Sequence, residues 1–190
     1  MAAAPRERAG RAVLKWTAYV EFPYFYASQN PTVTAMSKIA PLLVEYKSSH
    51  QNQTNQVIHW IFVPLIYLSV IGLLWGVNLG VELDFLGGQQ LNVAMVVSLL
   101  VFAYYLSLSF TIAVGMLIVS VLGMIACWYL QERTSLLLVS AIVFVISWIF
   151  QFIGHKVEGK KPSFFKDLQF FLIGPAWVMS ALYNKLGVRY

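Results

Sequence analysis

Residues 91–130 read LNVAMVVSLLVFAYYLSLSFTIAVGMLIVSVLGMIACWYL, forty residues without one Asp, Glu, Lys or Arg. As one helix this stretch would run about 60 Å, roughly twice the ~30 Å hydrocarbon core of a bilayer. It therefore divides into two spans, with a turn near Ser107–Ser109. Downstream, Gln131–Glu132–Arg133–Thr134 makes a polar turn, and Leu136 to Gly154 supplies another span. Upstream, Ile58 to Gly80 is a span with Pro64 near one end, a placement that membrane helices tolerate. Between it and residue 91 lies a short acidic loop holding Glu82, Asp84, Gly87 and Gly88. A further apolar stretch, Leu168 to Tyr183, is short and interrupted by Gly174–Pro175, and reads as a re-entrant or interfacial helix. The expected fold is an all-α, polytopic membrane helix bundle of about four to five spans.

The composition agrees. Of 190 residues, 59% are hydrophobic and 11% charged, against about 25% charged in soluble domains, and the mean hydropathy is +0.69. The lone Cys127 excludes an internal disulfide framework and a cysteine-based zinc finger. The net charge of +5 does not indicate a nucleic-acid partner, because the basic residues flank apolar segments. They fall at Arg6–Lys15, at Lys38 and Lys47, and at Lys156, Lys160, Lys161 and Lys166, where positive charge marks the cytoplasmic side of a membrane. Residues 1–15 read as a basic cytoplasmic tail and 16–190 as a single membrane-embedded catalytic domain. Within it, Trp16, Tyr19, Phe22, Tyr24, Phe25 and Tyr26 suit an interfacial belt. From Thr32 to Tyr46 apolar residues recur at helical spacing, predicting an amphipathic helix against the membrane or bundle.

All three histidines stand at span ends: His50 and His59 in HQNQTNQVIH, and His155 in QFIGHKVEGKKP. His155 and Glu158, three apart, share a helix face. His50 and His59, nine apart, would point about 180° from one another in an unbroken helix. They converge only if the backbone breaks, and Gln51–Asn55 is a polar run suited to a break. Asn55, four before His59, is then placed to orient a ligand imidazole. With four crossings between them, His59 and His155 face the same side, and the basic loops at 38–47 and 156–166 make that side cytoplasmic. Two histidines and a carboxylate suit non-haem Fe(II). Three histidines and a water suit catalytic zinc equally well.

His50, Asn55 and His59 leading into Val63–Pro64, together with Gln151–Phe152–Ile153–Gly154–His155 and Glu158 before Pro162, resemble the membrane 2-hydroxy fatty acid dioxygenase family. The resemblance covers roughly residues 20–184, and Ser163 departs from it where Ala is expected. It implies a small multi-pass protein of the endoplasmic reticulum membrane. It also implies Fe(II) and O2 as reactants with a long-chain 2-hydroxy acid, shortened by one carbon in fatty acid α-oxidation; a yeast member acts in phytosphingosine breakdown. On this sequence the implied ligands are His50, His59 and His155, with Glu158 either a ligand or a group that orients one.

A 2-hydroxy acid can chelate iron through carboxylate and hydroxyl, and O2 needs one more position. Three protein ligands on an octahedral ion leave room for both, which favours Glu158 outside the coordination shell. Lys160 and Lys161 suit attraction of the substrate carboxylate at the membrane surface. The competing readings are a zinc-dependent membrane lipid hydrolase, a bis-histidine haem carrier, and a lipid-binding or scaffold protein without catalysis. Three histidines are too few for the histidine-box desaturases.

Overall fold

The computed structural model describes residues 37–84, 87–159 and 168–190. The basic tail 1–15, the aromatic belt, residues 32–36 of the expected amphipathic helix, Lys160 and Lys161 lie outside them. The described elements are α1 (Ile39–Ser48), α2 (Gln53–Trp75), β1 (Asn78–Leu83), β2 (Gln89–Asn92), α3 (Val93–Leu108), α4 (Phe110–Leu130), α5 (Leu136–Glu158) and α6 (Leu168–Leu186). The architecture is an all-α membrane helix bundle with one small hairpin. Among the described residues, α2, α4 and α5 are each long and apolar enough to cross a bilayer, and α3 is a shorter apolar helix.

Local signals explain most boundaries. Asn52 caps α2, its side-chain oxygen accepting from the Thr54 and Asn55 backbone N–H groups, so the helix begins five residues before the expected Ile58. It ends at Trp75, and Asn78–Leu83 leaves the helix to pair as β1. The expected acidic loop is thus largely an antiparallel hairpin, with Glu82 opposite Gln90 and Leu83 opposite Gln89. Its turn uses Gly87 and Gly88 at φ +68° and +81°, a region glycine enters without steric cost. Ser109, extended at φ −161°, ψ 123°, separates α3 from α4, and its hydroxyl accepts from the Ile112 N–H.

The expected break at Gly174–Pro175 is absent: α6 runs through both residues. Proline lacks one N–H, and packed neighbours allow that loss within a helical bundle. Gly174 is needed for contact rather than for a bend, since a Cβ there would come within 3.0 Å of the Tyr46 hydroxyl.

The four apolar helices run back and forth. At one end Trp75 Nε1 donates to Gln131 at 2.7 Å, joining the end of α2 to the end of α4. At the other end, the start of α2 meets the end of α5 through Glu158. The α2–α5 pair makes the most extensive interface in the bundle. Glycine permits its closeness: a Cβ on Gly154 would collide with the Asn55 side-chain oxygen, and one on Gly72 with the Ser140 hydroxyl. Leu99, Leu100, Leu122, Ile142 and Val145 are exposed around the outside. Lipid, rather than water, is the solvent that accommodates such a surface.

Candidate metal centre

The loop between α1 and α2 supplies the break that His50 and His59 require. α1 stops at Ser48, α2 starts at Gln53, and the two rings meet with Nε2 atoms 3.0 Å apart. His155, in the last turn of α5, completes the group. One nitrogen from each histidine lies within 4.8 Å of the other two, and all three residues are buried.

The hydrogen bonds define what the nitrogens offer. His50 Nδ1 faces the Tyr46 carbonyl at 2.7 Å, and His59 Nδ1 faces the Asn55 carbonyl at 2.9 Å. A carbonyl only accepts, so each Nδ1 carries its proton and each neutral ring has a bare Nε2. Two lone pairs facing at 3.0 Å cannot bond to one another; they call for a cation between them. Two imidazole nitrogens held about 2.1 Å from one ion can lie this close. The donor set therefore fits a transition-metal ion such as iron or zinc. His155 differs in that its Nδ1 is buried without a hydrogen-bond partner.

Around the cluster, Tyr46 stacks on His50 at 4.2 Å between ring centroids, with 12° between the planes. Burial pushes its phenol well above the ordinary tyrosine range, so it remains neutral. Glu158 lies outside the three-nitrogen group. Its Oε1 accepts from the Gln51 N–H at 2.8 Å, and its Oε2 from the Asn52 N–H at 2.8 Å and the Asn55 amide at 3.0 Å. The carboxylate thus sits at the N-terminus of α2, where unpaired N–H groups and the helix dipole favour an anion. One side chain ties together the segments that carry His50, His59 and His155. Asn55 acts twice, through its amide on Glu158 and through its carbonyl on His59.

A cavity opens beside the histidines. His50, His59, His155, Tyr46 and Gln151 form its polar part, and the remaining wall is mainly apolar, including Val63, Ile66, Trp148, Phe170, Phe171 and Pro175 from α2, α5 and α6. Sequence reasoning missed Tyr46 and Gln151 as site residues. A signal existed: Tyr46, Asn55 and Gln151 each stand four residues before a histidine, one helical turn away. Gln151 is buried, and its Nε2 has no hydrogen-bond partner, a state that costs about 1–3 kcal/mol when nothing occupies the other side.

A membrane helix bundle holding three histidines against a largely apolar cavity defines a class of protein: a membrane-embedded one whose buried histidine cluster could hold a transition-metal ion at the edge of that cavity. The family model described as 2-hydroxy-palmitic acid dioxygenase Mpo1-like matches residues 36–186, and the chain belongs to that family. It is 31% identical over 145 residues to the 2-hydroxy-palmitic acid dioxygenase MPO1 of Saccharomyces cerevisiae, covering 75% of this chain and 78% of the yeast protein. No solved structure matches it.

Proposed function

We propose that this protein is an Fe(II)-dependent dioxygenase that shortens long-chain 2-hydroxy fatty acids by one carbon. The observation that carries the reading is the placing of three histidine nitrogens at a largely apolar cavity, in a chain of the family just named. Iron held by His50, His59 and His155 would supply the redox chemistry that brings O2 into reaction with an unactivated acid. The balance R–CHOH–COOH + O2 → R–COOH + CO2 + H2O closes without a co-reductant.

The chain's own residues do the rest. The carbonyls of Tyr46 and Asn55 hold two imidazoles in one tautomer and orientation. Glu158 keeps the three ligand-bearing segments in register. Trp148, Phe170, Phe171 and Pro175 line the wall that receives the acyl chain, whose burial contributes about 0.8 kcal/mol per CH2. Lys160 and Lys161, next after α5 in sequence, attract the carboxylate toward the membrane surface. The protein is read as multi-pass in the endoplasmic reticulum membrane with the metal centre toward the cytoplasm, acting in fatty acid α-oxidation and sphingoid-base degradation.

Zinc hydrolysis of a membrane lipid is the second reading, favoured by a three-histidine donor set that serves zinc as readily. One experiment separates the two. The purified protein is loaded with Fe(II) or Zn(II) and incubated with a long-chain 2-hydroxy acid under air and under nitrogen. The expected product is the acid one carbon shorter, formed only with iron and only under air. Its absence there would remove the oxygenase reading.

A further inference from the structure

We propose that Gln151 receives the carboxylate of the substrate in the cavity, its side-chain amide donating to a carboxylate oxygen. The proposal rests on the reading of the substrate as a long-chain acid and adds where that acid's head is held.

Gln151 lies on α5 one turn before His155 and three residues after Trp148, and all three line the same cavity. Its Cα is thus about 6 Å along the helix axis from that of a histidine of the cluster. It is 4% exposed. Its Nε2, like His155 Nδ1, has no partner, whereas several other polar groups of the wall are already engaged. The Tyr67 hydroxyl pairs with Ser120 at 2.6 Å, and His50 Nδ1 and His59 Nδ1 are taken by the carbonyls of Tyr46 and Asn55.

A carboxylate brings two oxygens with about four acceptor positions between them. The described lining of the cavity includes no Lys or Arg, so inside the bundle the head must find neutral donors. Gln151 offers one already stripped of water. Because its amide is buried before the ligand arrives, the bond forms without a further desolvation cost to the protein.

The test uses the full chain, loaded with Fe(II) in detergent and kept under nitrogen so that no turnover intervenes. Binding of 2-hydroxyhexadecanoic acid and of 1-hexadecanol, which has the chain but no carboxylate, is measured calorimetrically. Gln151→Met keeps the length and removes the donor. It should weaken the acid about tenfold or more, as expected for a lost hydrogen bond to a charged group, and leave the alcohol unchanged. Gln151→Glu keeps the shape and opposes the carboxylate with a like charge, and should weaken the acid further. In turnover under air, Gln151→Met should raise KM more than it lowers kcat. Unchanged acid binding in Gln151→Met, or equal weakening of acid and alcohol, would overturn the proposal. Gln151-dependent acid binding without any shortened product would leave this site standing and remove the oxygenase reading; shortened product with acid binding indifferent to Gln151 would do the reverse.

Discussion

The Glu158 carboxylate and the Asn52 backbone N–H meet at 2.8 Å across 106 residues of sequence. The contact joins the last turn of one apolar helix to the first turn of another, at the level of the three histidines. Glu158→Gln replaces one acceptor oxygen by an NH2 group, which faces N–H donors and cannot bond to them. The ligand-bearing loop then loosens while all three imidazoles remain. Metal affinity or turnover should fall about 10–100-fold, the range for groups that orient ligands, and remain measurable. Metal content and product formation in the same preparation check it; complete metal loss would instead place the carboxylate on the ion.

Single replacement of His50, His59 or His155 by Ala removes a nitrogen from the buried group without touching the lipid-facing surface. Each variant should insert normally and fail to retain iron through purification. Metal analysis beside resistance to carbonate extraction tests both halves, and near-normal turnover in any one variant would remove that residue from the centre.

Gly154→Ala and Gly72→Ala probe the same interface at opposite ends. At position 154 the added Cβ meets the Asn55 side chain, which is held by Glu158, and lies 3.4 Å from Ile58 Cγ2. At position 72 it meets the Ser140 hydroxyl, which can rotate away, and lies 3.1 Å from Ser140 Cβ, which cannot. Each should cost about 1–3 kcal/mol of stability, but only Gly154→Ala should also lose metal retention, because only it displaces a partner of Glu158. Thermal unfolding and iron content separate them.

If α2 to α5 each cross the membrane, as the proposed topology has it, His59 and His155 share a side. In sealed microsomes, Lys156→Cys at the histidine end should react with a membrane-impermeant maleimide, and Glu132→Cys at the hairpin end only after permeabilisation. Native Cys127 is buried and gives little background. The sequon Asn52–Gln53–Thr54 should correspondingly carry no glycan in eukaryotic cells. A glycosidase-sensitive shift at Asn52 would reverse the orientation.

The division of residues 91–130 at Ser107–Ser109 and the polar turn after Leu130 were legible because apolar length and polar interruption are local properties. The meeting of His50 and His59 was legible as a condition, a break in the backbone, and the break is there. Residues 78–92 were not legible as a hairpin, because Leu79, Val81 and Leu83 alternate over too few residues to outweigh the apolar run before them. Pro175 misled because propensity marks a helix end, while packing against α1 and α2 decides otherwise. The target of Glu158 was hidden for another reason: helical spacing pairs it with His155, but its partners come from the far end of the chain.

That long closure bears on biogenesis. Gln51 and Asn52 leave the ribosome more than a hundred residues before Glu158 does. Until then the first two histidines sit on a loop whose N–H groups have no carboxylate to hold them. A nascent chain halted after α4 carries two of the three imidazoles and no carboxylate to clamp their loop. The three-histidine cluster is thus assembled only once α5 is in place.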